Sequence, residues 1–128
     1  MREILVDSSA WIEYFKNRDF LFIDTLLDEN QICTNDVVLA ELLPSIMHKK
    51  EYHLARLLGA IKKYEMAINW NEIRNFQREN LKHGNHTVPL ADLLIAQNCM
   101  QNGMEILTAD RHFEAVSKYL PLRMCKNL

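Results

Sequence analysis

Short apolar runs alternate with amphipathic segments along this chain, and that alternation leaves few folds open. Ile4-Leu5-Val6 and Ile106-Leu107 are too brief for helices and carry no charge, as suits strands buried on both faces. Strands are expected at residues 3–7, 31–34, 66–68 and 105–108, with a last edge strand at 121–124. Helices are expected between them. One follows the Ser8-Ser9 cap, and others cover 20–27, 36–50, 52–63, 71–83, 89–102 and 111–119. Asn35-Asp36 caps the third helix, and Pro44 is expected to kink it or end its first segment. Pro89 suits the first turn of the sixth, which stops at Gly103. Strands alternating with helices imply an α/β fold, a parallel sheet covered by helices on both faces. Ligand sites in such sheets lie at the carboxyl ends of the strands.

Four carboxylates interrupt apolar runs in this pattern. Asp7 ends the first strand, and Asp110 follows Ile106-Leu107-Thr108-Ala109. Glu41 sits inside Val37-Val38-Leu39-Ala40-Glu41-Leu42-Leu43, and Asp92 inside Pro89-Leu90-Ala91-Asp92-Leu93-Leu94. Taken singly, Asp7 and Asp110 are accounted for as helix caps, and Asp92 as an anion in a first helical turn. Glu41 is mid-helix among apolar neighbours, so it either points out through a narrow solvent face or enters a functional site. A buried carboxylate needs a counter-charge or it neutralises. Only Asp110 has a basic neighbour in sequence, Arg111. If the fold gathers the four acids, the missing counter-charge is most simply a divalent cation such as Mg²⁺ or Mn²⁺, which take oxygen ligands. That chemistry points to an enzyme acting on phosphate esters.

A chain of 128 residues is expected to form one domain spanning 1–128. The formal net charge of −2 argues against holding nucleic acid by bulk electrostatics, though not against an acidic site neutralised by metal. Arg74, Arg78 and Lys82 recur at four-residue steps and share one helix face, either a solvated face or a contact for phosphates. Cys33, Cys99 and Cys125 form no Cys-x-x-Cys pair and read as buried free thiols in a reducing cytoplasm. No apolar stretch is long enough for a membrane span, and no signal peptide is evident. Gly-x-Gly is absent. His83 and His86 read as exposed loop residues or, less simply, a metal pair. Trp11, Tyr14 and Phe15 suit core packing or stacking on bases.

The sequence resembles the PIN-domain nucleases, and within them the toxin ribonucleases of VapBC-type toxin–antitoxin pairs. The resemblance rests on four segments in order. They are Val-Asp-Ser-Ser-Ala-Trp-Ile-Glu-Tyr-Phe from Val6, Thr-Asn-Asp-Val-Val-Leu-Ala-Glu-Leu-Leu from Thr34, Val-Pro-Leu-Ala-Asp-Leu-Leu-Ile-Ala from Val88, and Leu-Thr-Ala-Asp-Arg-His-Phe from Leu107. It implies an α/β/α sandwich with a parallel sheet of four or five strands. It also implies a Mg²⁺- or Mn²⁺-dependent endoribonuclease that leaves 5′-phosphate and 3′-hydroxyl ends. By resemblance Asp7, Asp92 and Asp110 hold metal directly or through water, Glu41 holds or activates the attacking water, and Ser9 and Thr108 orient the acids from behind. Arg74, Arg78, Lys82 and Arg111 are candidates for RNA phosphates. The family's habits further imply a homodimer inhibited by a cognate antitoxin. One departure is His112, at a position where many members carry another Asp, which implies a weaker second metal position.

Rival readings are a non-catalytic PIN-like adaptor, a phosphoacceptor signalling domain and a flap-type DNA nuclease. The second needs paired acids at the first strand end and a late lysine, where Asp7-Ser8 and Thr108-Ala109 stand instead. The third lacks the extra helical segments expected for threading DNA.

Overall fold

The computed structural model describes residues 2–84 and 86–126; Asn85, in the expected 84–88 loop, lies outside them. The strands are β1 (Ile4–Val6), β2 (Ile32–Thr34), β3 (Lys62–Lys63), β4 (Glu105–Leu107) and β5 (Arg123–Met124). The helices are α1 (Ser8–Asn17), α2 (Phe22–Asp28), α3 (Asp36–His48), α4 (Tyr52–Gly59), α5 (Trp70–Lys82), α6 (Leu90–Asn102) and α7 (Arg111–Ser117). The sheet order is β3-β2-β1-β4-β5, and every pairing is parallel. Successive side chains of a strand point to opposite faces, yet Ile4, Leu5 and Val6 are all fully buried, so helices cover both sides of β1. The result is the expected α/β/α sandwich with five strands.

Register carries this arrangement to the site. Leu5 pairs with Cys33 on one side and Ile106 on the other, and Val6 pairs with Leu107. The carboxyl ends of β1 and β4 therefore finish side by side, and Asp7 N–H donates to the Leu107 carbonyl at 2.9 Å. Chain order reverses at β1, with β2 on one flank and β4 on the other, which opens a crevice at that end of the sheet.

Three sequence expectations need correction. The 52–63 helix stops at Gly59, and Lys62–Lys63 is the edge strand, paired with Cys33 and Thr34. Residues 66–68 are not a strand. Their stretch is held by amide side chains of α6. Asn98 Nδ2 donates to the Glu65 carbonyl at 3.0 Å, Gln101 Nε2 to the Ala67 carbonyl at 2.8 Å, and Gln97 both donates to and accepts from the Asn69 backbone. Two exposed lysines carry no apolar signal, but charge suits an edge that must not recruit another strand. Lastly, Pro44 neither ends nor divides α3, which runs from Asp36 to His48. The proline deprives only Ala40 of a hydrogen bond, both residues are exposed to water, and the buried stripe Val38-Leu42-Ile46 holds the helix down.

Candidate active site

Asp7 is the deepest of the four acids, with 3% of its surface exposed. It occupies the N-cap position of α1, but its side chain makes no cap hydrogen bond. Its Oδ2 instead accepts from Ser9 Oγ and Thr108 Oγ1, each at 2.8 Å. Each hydroxyl has one proton, so the 3.1 Å approach of Ser9 Oγ to Thr108 Oγ1 is not a third donation. The hydroxyl oxygens in turn accept from the strand-end backbone, Ala109 N–H on Ser9 at 3.0 Å and Asp110 N–H on Thr108 at 2.9 Å. A five-residue network thus ties the end of β1 to the end of β4 and fixes the direction of Asp7.

Asp110 sits at the N-cap of α7, where Oδ1 accepts from His112 N–H at 2.9 Å. The capping reading is therefore correct for Asp110. Asp92 lies in the first turn of α6, half-sunk, and its Oδ2 is 3.0 Å from His112 Nδ1. The same nitrogen lies 3.2 Å from Asp110 Oδ1. Glu41 projects from α3 and is exposed, on the side of the helix that faces the other acids. Its position follows helical spacing: Val38, Leu42 and Ile46 turn α3 to the core and leave Glu41 on the flank. Ser8 Oγ donates to Glu41 Oε1 at 3.2 Å.

Electrostatics show that the acids share one place. Partial desolvation raises the pKa of Glu41, and the charges of Asp7, Asp92 and Asp110 raise it further against the pull of Ser8. Burial raises that of Asp92, with Asp110 and Asp7 adding to it and the His112 hydrogen bond opposing. Among the described residues, no lysine or arginine forms an ion pair with any of the four acids. Arg111, adjacent in sequence, does not pair with Asp110. The site is a nest of negative charge without a fixed counter-charge, and the donor set fits a divalent cation. One ligand atom each from Asp92, Asp110 and His112 lies within 4.8 Å of the others.

Two hollows flank the nest. One, of about 340 Å³, runs between α1, α3 and α4 and is bordered by Glu41, Ile12, Phe15, Leu54, Lys16 and Lys49. The other is bordered by Ser9, Ile12, Asp110, Arg111 and His112. Of the four basic residues singled out by sequence, only Arg111 borders the acids. Arg78 and Lys82 line a separate hollow along α5 with Glu79, and Arg74 is engaged with Asn71. Sequence reasoning missed Lys16, near the end of α1, and Lys49, the residue that caps the end of α3; the pattern there shows a solvated surface but not what it borders. Trp11 is fully buried and stacks on Phe15 with centroids 5.4 Å apart, so it is core and not a base platform. His83 stacks on the Tyr119 ring with centroids 4.5 Å apart, and among the described residues neither it nor His86 belongs to a cluster of three or more possible metal ligands.

The chain matches the PIN domain over residues 4–119. It belongs to the PIN domain family. Among solved structures it is similar to a chain of DNA-bound VapBC from Salmonella typhimurium, 15% identical with 98% of each chain covered and a TM-score of 0.74. It is also similar to a chain of FitAcB from Neisseria gonorrhoeae, 20% identical with 96% of each chain covered and a TM-score of 0.72. VapBC-1 from nontypeable Haemophilus influenzae gives 14%, 96% of each chain and 0.71. At these identities the likeness is one of fold. No curated protein sequence matches the chain.

Proposed function

We propose that this protein is a metal-dependent endoribonuclease, the toxin of a VapBC-type pair. The observation that carries the reading is the convergence of Asp7, Glu41, Asp92 and Asp110 on the end of β1 and β4 with no lysine or arginine to neutralise them. Asp7, Asp92 and Asp110 would hold Mg²⁺ or Mn²⁺, directly or through water. Such an ion, when bound, offsets the crowded charge and acts as a Lewis acid toward phosphodiester and water oxygens. Ser9 and Thr108 keep Asp7 aimed by supplying both hydroxyl protons to one of its oxygens, which leaves the other free for the cation. Glu41, with its raised pKa and its place beside the hollow between α1, α3 and α4, orients the attacking water and accepts its proton.

RNA would enter along the two hollows, where Lys16, Lys49 and Arg111 offer cations to its phosphates. Arg74, Arg78 and Lys82 would contact only a substrate long enough to reach α5. The protein would act in the cytoplasm as a homodimer, restrained by a cognate antitoxin; the antitoxin partner is supported by the VapBC assemblies that share its fold. Among the described residues no helix is long and apolar enough to cross a membrane.

The test is cleavage of a mixed structured RNA pool by purified protein freed of any partner, with Mn²⁺, Mg²⁺ or EDTA, beside Asp92→Asn. Discrete cuts that need metal and disappear in Asp92→Asn are the expected outcome. Cation binding without cleavage of any RNA would favour a non-catalytic adaptor. Neither cleavage nor any response to cation would overturn the metal reading itself.

A further inference from the structure

The imidazole of His112 stands at the meeting point of Asp92 and Asp110, with one ring nitrogen facing a carboxylate oxygen of each. Nδ1 lies 3.0 Å from Asp92 Oδ2 and 3.2 Å from Asp110 Oδ1. A ring nitrogen carries at most one proton. Two carboxylate oxygens therefore share one ring donor, Asp110 Oδ1 also accepting from the His112 backbone N–H, and the three side chains bring one ligand atom each within 4.8 Å of the others. A divalent cation placed among the three would satisfy both oxygens and the nitrogen lone pair together.

The local build favours that use. Asp110 and His112 are held as a unit, because the Asp110 side chain accepts from the backbone N–H of His112 at 2.9 Å while capping α7. Asp92 arrives independently, from the first turn of α6. The ring is 51% exposed and lines the second hollow, so an ion can reach it from solvent.

We propose that His112 is a nitrogen ligand of the cation site, and that it tunes the site toward Mn²⁺ over Mg²⁺. This rests on the metal-dependent reading above. It replaces the expectation, drawn from resemblance, that His112 merely weakens a metal position. Mg²⁺ prefers oxygen donors and keeps its waters, whereas imidazole is a good ligand for later divalent ions, with Mn²⁺ at the near end of that series. Asp92 and Asp110 supply charge and oxygen, and His112 supplies the donor that separates the two ions.

The experiment is Mn²⁺ titration of the intact protein followed by electron spin resonance, with pulsed detection of ¹⁴N coupling and Mg²⁺ as competitor. The wild type is compared with His112→Asp and Asp92→Asn, each checked for folding by thermal melt. Wild type should show ¹⁴N coupling from one imidazole. His112→Asp should still bind Mn²⁺ but lose the coupling, and its Mn²⁺-to-Mg²⁺ affinity ratio should fall about tenfold or more. Mn²⁺ binding that is weakened by Asp92→Asn but shows no ¹⁴N coupling would overturn the role of His112 and leave the carboxylate site standing. Coupling that persists in His112→Asp would assign it to another histidine and overturn that role equally. If wild type binds no Mn²⁺ at all, this inference and the metal-dependent reading fail together.

Discussion

Asp7 illustrates how a single side chain is positioned by groups from distant parts of the chain. Its two hydroxyl donors come from opposite ends of the sequence, Ser9 beside it and Thr108 at the end of β4. Thr108→Val keeps the shape but removes a proton from Asp7 and an acceptor from Asp110 N–H. The variant should lose about 1–3 kcal/mol of stability in urea melts. Its metal-dependent cleavage should fall about 10–100-fold, the usual cost of disturbing a group behind a ligand. Asp92 gives a second test. Its raised pKa means that the folded protein retains a proton there at pH values where the unfolded chain has released it. Stability of the cation-free protein should therefore fall as pH rises from the ordinary carboxylate range through the raised native value. Asp92→Asn removes that penalty, so without divalent cation its melting temperature at pH 7 should exceed wild type by about 2–6 °C. Millimolar Mn²⁺ should stabilise wild type and erase the difference. An equal gain with and without cation would mean that Mn²⁺ does not relieve the charge cost at Asp92, and no gain in either condition would mean that there is no such cost.

The elements divide into those whose role was visible in sequence and those whose role was not. β1, β2 and β4 are apolar and brief, so their pattern announced them; so did α6, from Pro89 to Gly103. The acids were legible for the same reason, since each interrupts or ends an apolar run. β3 was illegible because an edge strand of two lysines has no apolar face to display. The role of Gln97, Asn98 and Gln101 was equally hidden. Amides within a helix give no sign that they will receive a neighbouring loop, and only the tertiary fold supplies that partner. Asn98 is buried between Asn35, which donates to its Oδ1 at 2.9 Å, and the Glu65 carbonyl. Asn98→Leu should leave both partners unsatisfied and cost about 2–4 kcal/mol in denaturant melts, with the 65–69 segment losing protection first in hydrogen exchange. The basic residues were legible as charges but not as neighbours of the acids. Lys49→Glu should weaken RNA binding and flatten its salt dependence by roughly 0.7 in the log–log slope for each lost phosphate contact. Arg78→Glu should do so only on longer RNAs. Equal losses on a short RNA would place the substrate along α5 instead.

At the scale of the molecule, the central pairing of β1 with β4 carries both the core and the site. Ile106 is fully buried beside Leu5, and Ile106→Ala should cost about 2–5 kcal/mol, a large share of the stability of a domain this size. Activity and cation response should be lost at the same denaturant concentration as the fold. That pairing has another consequence, in time rather than space. Thr108 and Asp7 are 101 residues apart in sequence. A chain emerging from the ribosome carries Asp7 long before β4, and Asp7 has no hydroxyl from Thr108 until 101 further residues have been made. Closing so long a loop is also slow compared with forming local helices. The acidic site is therefore incomplete on any nascent chain that has not yet made α6 and β4 and paired β1 with β4.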